Sequence, residues 1–382
     1  MSSASSPGQA GQPGLRQALA AGRFAVTAEI GPPRGADAGP VRRKAALLRG
    51  WVHAVNITDN QSATVRLSSW AGSLAALSAG VEPIMQLTCR DRNRIALQSD
   101  LLSASAMGIP NVLLMTGDHP RFGDHADAMG VFDLDGTALL RVARAMRDER
   151  KLMSGRLLDP APCWLLGAVA SPAAPPAASV ARLAAKVAAG AQFVQTQFVF
   201  DVPEFAAWLA RVRDLGLHEQ CHILAGVGPV LSLRALSHLQ HAVPGVRVPA
   251  EVDRRLRGVR ANQVAGEGRR LAAETIARLR EIPGVAGVHV MAIGHEGSIP
   301  GILRQAGLEP ASPEPAGPAS PGTADLEPAS PGPADLEPAS PEPAGPASPG
   351  PADPEPASPG PASLEPASLE PASPADGPAH AH

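Results

Sequence analysis

The stretch FAVTAEIGPPRG at residues 24–35 decides the fold class. Its first half is a short apolar run of the kind that forms a buried strand. Pro32 and Pro33 have no amide hydrogen and a fixed φ, so the strand stops there and the loop after it is stiff. That loop reads GPPRG, without the G-x-G-x-x-G spacing that opens a dinucleotide-binding open sheet.

Seven further runs of strand character follow: 54–58 (AVNIT), 83–88 (PIMQLT), 111–116 (NVLLMT), 163–170 (CWLLGAVA), 193–200 (FVQTQFVF), 222–227 (HILAGV) and 287–293 (GVHVMAI). Most are bounded by Gly, Pro or Asp, as buried parallel strands are. Helical patterns lie between them at 92–107, 136–149, 179–189 and 203–214, and two more, at 249–257 and 263–281, precede the last strand. Eight strand–helix units within about 290 residues predict a (β/α)8 TIM barrel. A doubly wound open sheet is the competitor that GPPRG disfavours.

The flanks have a different composition. Residues 1–14 are small and polar, and 22 of the 41 prolines fall in 310–382, among Ala, Ser and Glu. Residues 309–382 hold no Lys, Arg or aromatic side chain. Such a tail buries too little apolar surface to offset the entropy of ordering it, so a disordered Pro/Ala/Ser/Glu-rich C-terminal tail is expected after a catalytic barrel at 15–308. The tail carries 12 acidic residues, which leaves residues 1–308 with 33 basic against 24 acidic ones. A basic body suits an anionic ligand, or simply a well-solvated arginine-rich surface. No basic run with interleaved aromatics occurs, so a nucleic-acid partner is not expected. Neither a secretory leader nor an apolar run of membrane-spanning length is seen, so a soluble cytoplasmic protein is expected. Cys89, Cys163 and Cys221 are widely spaced and odd in number, which speaks against a disulfide framework and a zinc cluster.

In TIM barrels the chemistry sits at the C-terminal ends of the strands. The polar residues expected there are Glu29, Thr58-Asp59-Asn60, Gln86, Thr88, Asp118, Gln195, Gln197 and His289. Strand alternation sets Ala25, Thr27 and Glu29 on the face opposite Phe24, Val26 and Ala28. A glutamate aimed into the barrel top is poorly solvated, holds its proton more readily, and suits general-acid work. Pairing with Arg34 at the rim is the structural alternative. Asp118 follows a strand in the turn TGDHP, where it can contact a ring N–H or cap its own backbone. VFDLDGT (131–137) is too short for a calcium loop, and Asp135 reads as a helix N-cap. Gln195 and Gln197 share one face of an apolar strand, where two amides can read a flat heterocycle or bond each other. Lys186, on the preceding helix, can meet a phosphate or face solvent.

Six motifs in order resemble the methylenetetrahydrofolate reductase family over residues 22–305. They are E-x-x-P-P at Glu29–Pro33, LTC at 87–89, GD-x-P at 117–120, AGA with TQF-x-FD at 189–201, GVGPV at 226–230 and VRVPA at 246–250. The resemblance implies a flavin-bearing barrel in which NADH or NADPH reduces FAD and leaves. Methylenetetrahydrofolate then takes its place and is reduced to methyltetrahydrofolate. It implies Glu29 as the general acid that helps open the folate ring to an iminium, and Asp118 near flavin and pterin. Gln197 would hydrogen-bond the pterin, and Thr58, Gln86, Asp118, Arg182 and Lys186 would stand at the FAD site. The chain departs from the family pattern at Ile30 and Gly31, at Gln86 in place of a histidine, at Arg182 and Ala185, near Leu233, and in having no tyrosine. Two other readings stay open: a non-redox folate-binding barrel that tethers a partner through its tail, and a one-carbon flavoenzyme reduced by another protein. The choice between NADH and NADPH and the oligomeric state, a homo-oligomer included, also stay open.

Overall fold

The computed structural model describes residues 14–310 apart from 173, 174, 242 and 244. The N-terminal segment to residue 13 and the low-complexity tail from 311 onward lie outside the described residues. Eight parallel strands form a closed barrel in chain order: β1 (Ala25–Ile30), β2 (Ala54–Ile57), β3 (Pro83–Thr88), β4 (Asn111–Met115), β5 (Leu165–Ala170), β6 (Phe193–Phe198), β7 (His222–Val227) and β8 (Val285–Val290). β1 closes the ring by pairing with β8, with Thr27 opposite His289. The TIM barrel expected from the unit count is therefore the fold. Two strands, β3 and β7, have the bounds read from the sequence, the other six differ from it by one to three residues at an end, and Asp135 caps the helix Gly136–Arg144 by accepting from the Ala138 N–H at 2.7 Å.

The barrel interior is layered. At the lower end Ala25, Ala54, Ile84, Leu113, Leu165, Phe193 and Leu224 form an apolar plug, one residue from each of β1 to β7. A side chain on Gly167 would run into the Phe193 ring, so glycine there makes room for the largest member of that layer. The helix Leu15–Ala20 closes the bottom by adding fully buried Leu15 and nearly buried Leu19, each worth about 1.5–3 kcal/mol of apolar burial. Leu15 N–H donates to Glu82 Oε1 at 3.0 Å, and Asn111 Nδ2 donates to the same oxygen at 2.6 Å. Two residues up β1, β2 and β6 the layer turns polar, with Thr27, Asn56 and Gln195 joined by His289 of β8, and all four are buried.

The main core lies between the strands and the outer helices, and includes fully buried Trp164 and Phe193-side neighbours such as Val194. Trp208 is 2 % exposed there, and its Nε1–H reaches Ser179 Oγ at 3.0 Å. Among the described residues no helix is long and apolar enough to cross a membrane.

Candidate active site

Glu29 is the next-to-last residue of β1, inside the mouth, and is 7 % exposed. Its Oε2 accepts from Gln86 Nε2 at 3.3 Å and faces His289 Nε2 at 3.6 Å. Beneath it the polar layer is continuous. His289 Nδ1 lies 3.0 Å from Thr27 Oγ1, and Gln195 Nε2 donates to Thr27 Oγ1 at 3.1 Å and to Asn56 Oδ1 at 3.0 Å. Asn56 Nδ2 donates back to Gln195 Oε1 at 2.5 Å. Polar groups this deep are tolerated because they bond one another. Arg34 is exposed and takes no part.

Beside Gln86 opens a cavity of about 320 Å³ whose wall includes Thr88, Arg90, Gly117, Asp118 and Lys186. Gly117 has φ +89°, and a Cβ there would lie 2.9 Å from Thr88 Cβ, so the turn that presents Asp118 requires glycine. Asp118 is exposed toward the mouth. Lys186, on the helix Pro176–Ala188, donates from Nζ to the Val169 carbonyl at 2.6 Å. Burial pushes its ammonium below the usual range, the charge on Arg182 adds to this, and Asp135 opposes it. The start of the helix Gly136–Arg144 also reaches the cavity through Gly136 and Thr137. An ammonium beside a helix N-terminus favours an anionic ligand.

Charge on the other wall is held by ion pairs, each with one buried partner. Arg90 is 3 % exposed; burial works against its charge, but two bonds to Asp91 at 2.7 and 2.8 Å, with Asp59 and Asp118 nearby, keep the guanidinium firmly protonated. Arg90 also donates to the backbone oxygens of Asn60 and Asp118, at 3.2 and 3.4 Å, and so ties the loops after β2 and β4 together. Asp59 accepts from the Thr88 N–H and hydroxyl, both at 2.9 Å, and from Arg92 at 2.8 Å. It is a structural tether between β2 and β3. In the loop it begins, Asn60, Ser62 and Ala63 all have positive φ (44°, 56° and 54°). Three non-glycine residues in that region store about 1–3 kcal/mol each, a strain that concentrates at ligand sites.

The sequence-predicted residues fall as follows. Glu29, Gln86, Asp118 and Lys186 gather at the mouth, directly on the cavity or one contact from it. Thr58 is 2 % exposed, and its Oγ1 has no hydrogen-bond partner among the described residues. Arg182 is exposed on the helix that carries Lys186. Gln195 and Gln197 do not act as a pair. The β6–β7 register slips between Gln195 and Phe198, Gln195 is consumed by Asn56 and Thr27, and Gln197 is left at the mouth with its Oε1 accepting the Phe198 N–H at 3.0 Å. Arg90 went unnoticed, although a charge directly after the apolar strand in LTCRD is a visible signal. Thr27 and Asn56 carry no such mark, and His289 stood out only as a polar residue in an apolar strand.

Residues 14–307 match the model of the family described as methylenetetrahydrofolate reductase. A Caenorhabditis elegans protein named "Probable methylenetetrahydrofolate reductase (NADPH)" is 24% identical over 290 residues, covering 73% of this chain and 42% of its own length. An Oryza sativa subsp. japonica protein named "Probable methylenetetrahydrofolate reductase (NADH)" is 27% identical over 235 residues, covering 60% of this chain and 38% of its own. The chain thus spans about two fifths of the length of these curated relatives. A solved structure described as an uncharacterized protein from Clostridium thermocellum that binds two copies of 5-methyl-5,6,7,8-tetrahydrofolic acid superposes with a TM-score of 0.55. It is 14% identical, covers 75% of this chain and 96% of its own, and shows the shared fold. Because the family pattern runs through the whole barrel, from the plug helix to the last helix, the chain belongs to the methylenetetrahydrofolate reductase family.

Proposed function

We propose that this chain reduces 5,10-methylenetetrahydrofolate to 5-methyltetrahydrofolate with FAD as cofactor and NADH or NADPH as electron donor, as a cytoplasmic enzyme of one-carbon metabolism. The observation that carries the reading is the setting of Glu29: a buried carboxyl group inside the barrel mouth, gripped by Gln86, facing His289 and next to a cavity with its own anchored cations. Family membership supports reductase chemistry. The names of the two relatives support a nicotinamide donor and divide between NADPH and NADH. The folate ligand of the solved neighbour supports a folate here.

The residues present fit a flavin nucleotide. The unpartnered Thr58 hydroxyl, the amide of Gln86, the Lys186 ammonium and the helix start at Gly136 offer partners for a polar ring and an anionic tail. Lys186 would hold the anionic part, Thr58 and Gln86 would meet the polar ring, and Arg182 would add positive charge from the same helix as Lys186. When bound, FAD accepts a hydride from the nicotinamide and passes one to the folate. The chain's own part is acid–base and recognition chemistry. Glu29 gives its proton to a folate ring nitrogen and opens the five-membered ring to an iminium. The carboxylate left behind stays stabilised by the Gln86 N–H. Asp118 sets a negative charge at the cavity wall, and Gln197 offers an amide to the pterin edge.

The test is an anaerobic two-step assay on purified protein reconstituted with FAD. NADH or NADPH is expected to bleach the flavin, and methylenetetrahydrofolate to restore its colour with formation of methyltetrahydrofolate. Reconstituted protein that takes electrons from neither nicotinamide and forms no product from chemically reduced flavin would overturn the proposal. Flavin reducible by dithionite alone would assign electron supply to another protein. Folate binding without flavin would assign a non-redox role.

A further inference from the structure

We propose that Thr27 and His289 form a tautomer switch beneath Glu29, which lets one buried site hold that carboxyl group in both its protonated and its ionised form. The inference rests on the reading of Glu29 as a general acid. Such a group must be held well before and after it gives up its proton, and in a dry interior a fixed donor or fixed acceptor satisfies only one of the two.

The hydrogen-bond geometry supplies both. The Thr27 hydroxyl has one proton and two acceptors within reach: His289 Nδ1 at 3.0 Å and the Val288 carbonyl at 3.4 Å. Gln195 Nε2 donates to the same oxygen at 3.1 Å in either case, and the rest of that amide is taken up by its reciprocal bonds with Asn56. With Glu29 ionised, Thr27 donates to Nδ1, the ring carries its proton on Nε2, and that N–H faces Glu29 Oε2 at 3.6 Å. With Glu29 protonated, its O–H faces a bare Nε2, the ring carries its proton on Nδ1 and donates to Thr27, and the Thr27 hydroxyl turns to Val288. The two states differ by one proton, the one that Glu29 delivers, and in both a donor faces an acceptor at the Thr27–His289 and His289–Glu29 contacts.

Among the described residues, no charged side chain other than Glu29 contacts Thr27 or His289. Asn56, Gln86 and Gln195 face the pair from β2, β3 and β6 and are all neutral amides. On the segment Glu296–Ser298, which packs against β1, Glu296 is spent on Lys44 at 2.7 Å. The charges of Asp59, Arg90, Asp118 and Lys186 lie on the cavity that Gln86 also borders. Thr27 and His289 are positioning residues on this account, acting through Glu29.

Nitrogen-15 spectra of the histidine rings in the full-length protein read the tautomer directly, with His289 assigned by its loss in His289→Gln. The expected result is a ring proton on Nε2 where carbon-13 shows Glu29 ionised and on Nδ1 where it shows Glu29 protonated. A single tautomer throughout, or a doubly protonated ring at the Glu29 midpoint, overturns the switch. In the half-reaction assay Thr27→Val is expected to slow folate turnover about tenfold, a part of what an acid–base group contributes, and to displace its pH profile. Cofactor reduction should stay unchanged, and Thr27→Ser should restore the profile. An unmoved profile in Thr27→Val, or no rescue by serine, counts against it. Should the unsubstituted protein show no folate half-reaction, the general-acid reading fails, and the ring spectra alone then decide the switch.

Discussion

Glu29 lies one residue from the end of β1 at the C-terminal mouth, whereas Glu82 precedes β3 at the opposite end of the barrel. Glu29 meets one amide and one imidazole and reaches the cavity through Gln86, and Glu82 is tied to the plug helix through Leu15 and to β4 through Asn111. In the proposed reaction the first needs its proton and the second needs only its oxygen, and glutamine substitution separates the two. Glu29→Gln keeps the shape and the contact with Gln86 but has no proton to give, so folate turnover is expected to fall by about 10²-fold or more, with flavin reduction by the nicotinamide unchanged. Equal loss in both halves would deny Glu29 that role. For Glu82, burial raises the pKa above the usual 4.5, and the bonds from Asn111 and Leu15 only partly offset it. As pH rises through 4.5 the unfolded chain therefore loses this proton before the folded one does, and stability falls across that window. Glu82→Gln keeps an acceptor for both partners without the charge. It is expected to melt higher than the unsubstituted protein at pH 7, with the advantage vanishing in acid below the carboxyl range. A lower melting temperature at pH 7 would mean that the ionised form is the one the plug requires. Glu29's direction was legible from plain alternation along β1. Its partner was not, because residues 29 and 289 meet only when the barrel closes.

Strand β6 shows what alternation can and cannot deliver. Its position, length and parallel pairing follow from an apolar run bounded by Gly190 and Asp201, and the same reading finds all eight strands because each is punctuated by Gly, Pro or Asp. A strict two-residue period sets Gln195 and Gln197 on one face. The structure instead spends three steps of β6, from Gln195 to Phe198, against two of β7, from Leu224 to Gly226. The added residue divides the two amides, sending one into the buried network and leaving the other at the mouth. Nothing in β6 announces this, since the slip is set jointly with the neighbouring strand. The visible trace is on β7: Gly226 donates its N–H to Thr196 Oγ1 at 2.9 Å, and any Cβ there would run into the Thr196 carbonyl oxygen. Gly226→Ala should therefore force the bulge out of register and cost about 1–3 kcal/mol, read as a lower urea midpoint. If the midpoint is unchanged, the backbone can move apart freely and the bulge does not fix Gln197.

Closing the sheet turns distant sequence into one site: residues 27 and 289 face each other, and so do 56 and 195, which is why the polar layer under the mouth left no local signature. Charge, by contrast, was readable at this scale from counting alone. Residues 1–308 hold 33 basic against 24 acidic side chains, and the 12 acidic residues beyond them face no Lys or Arg of their own segment. At the mouth the cations are individually held, with Lys186 beside a helix start and Arg90 locked to Asp91. An acidic segment on the same chain can in principle compete for those cations, so the composition makes a testable demand. Deletion of residues 311–382 is expected to leave melting temperature and both half-reaction rates unchanged at about 0.15 M salt, where charges more than about 8 Å apart are screened. The sharper comparison is at about 0.01 M salt, where the screening length grows to about 30 Å. A solvated spacer gives the same cofactor affinity with and without the segment at both salt concentrations. A truncated protein that binds the anionic cofactor more tightly only at low salt would show the acidic segment acting as a competing anion, and would contradict the expectation that its removal changes nothing.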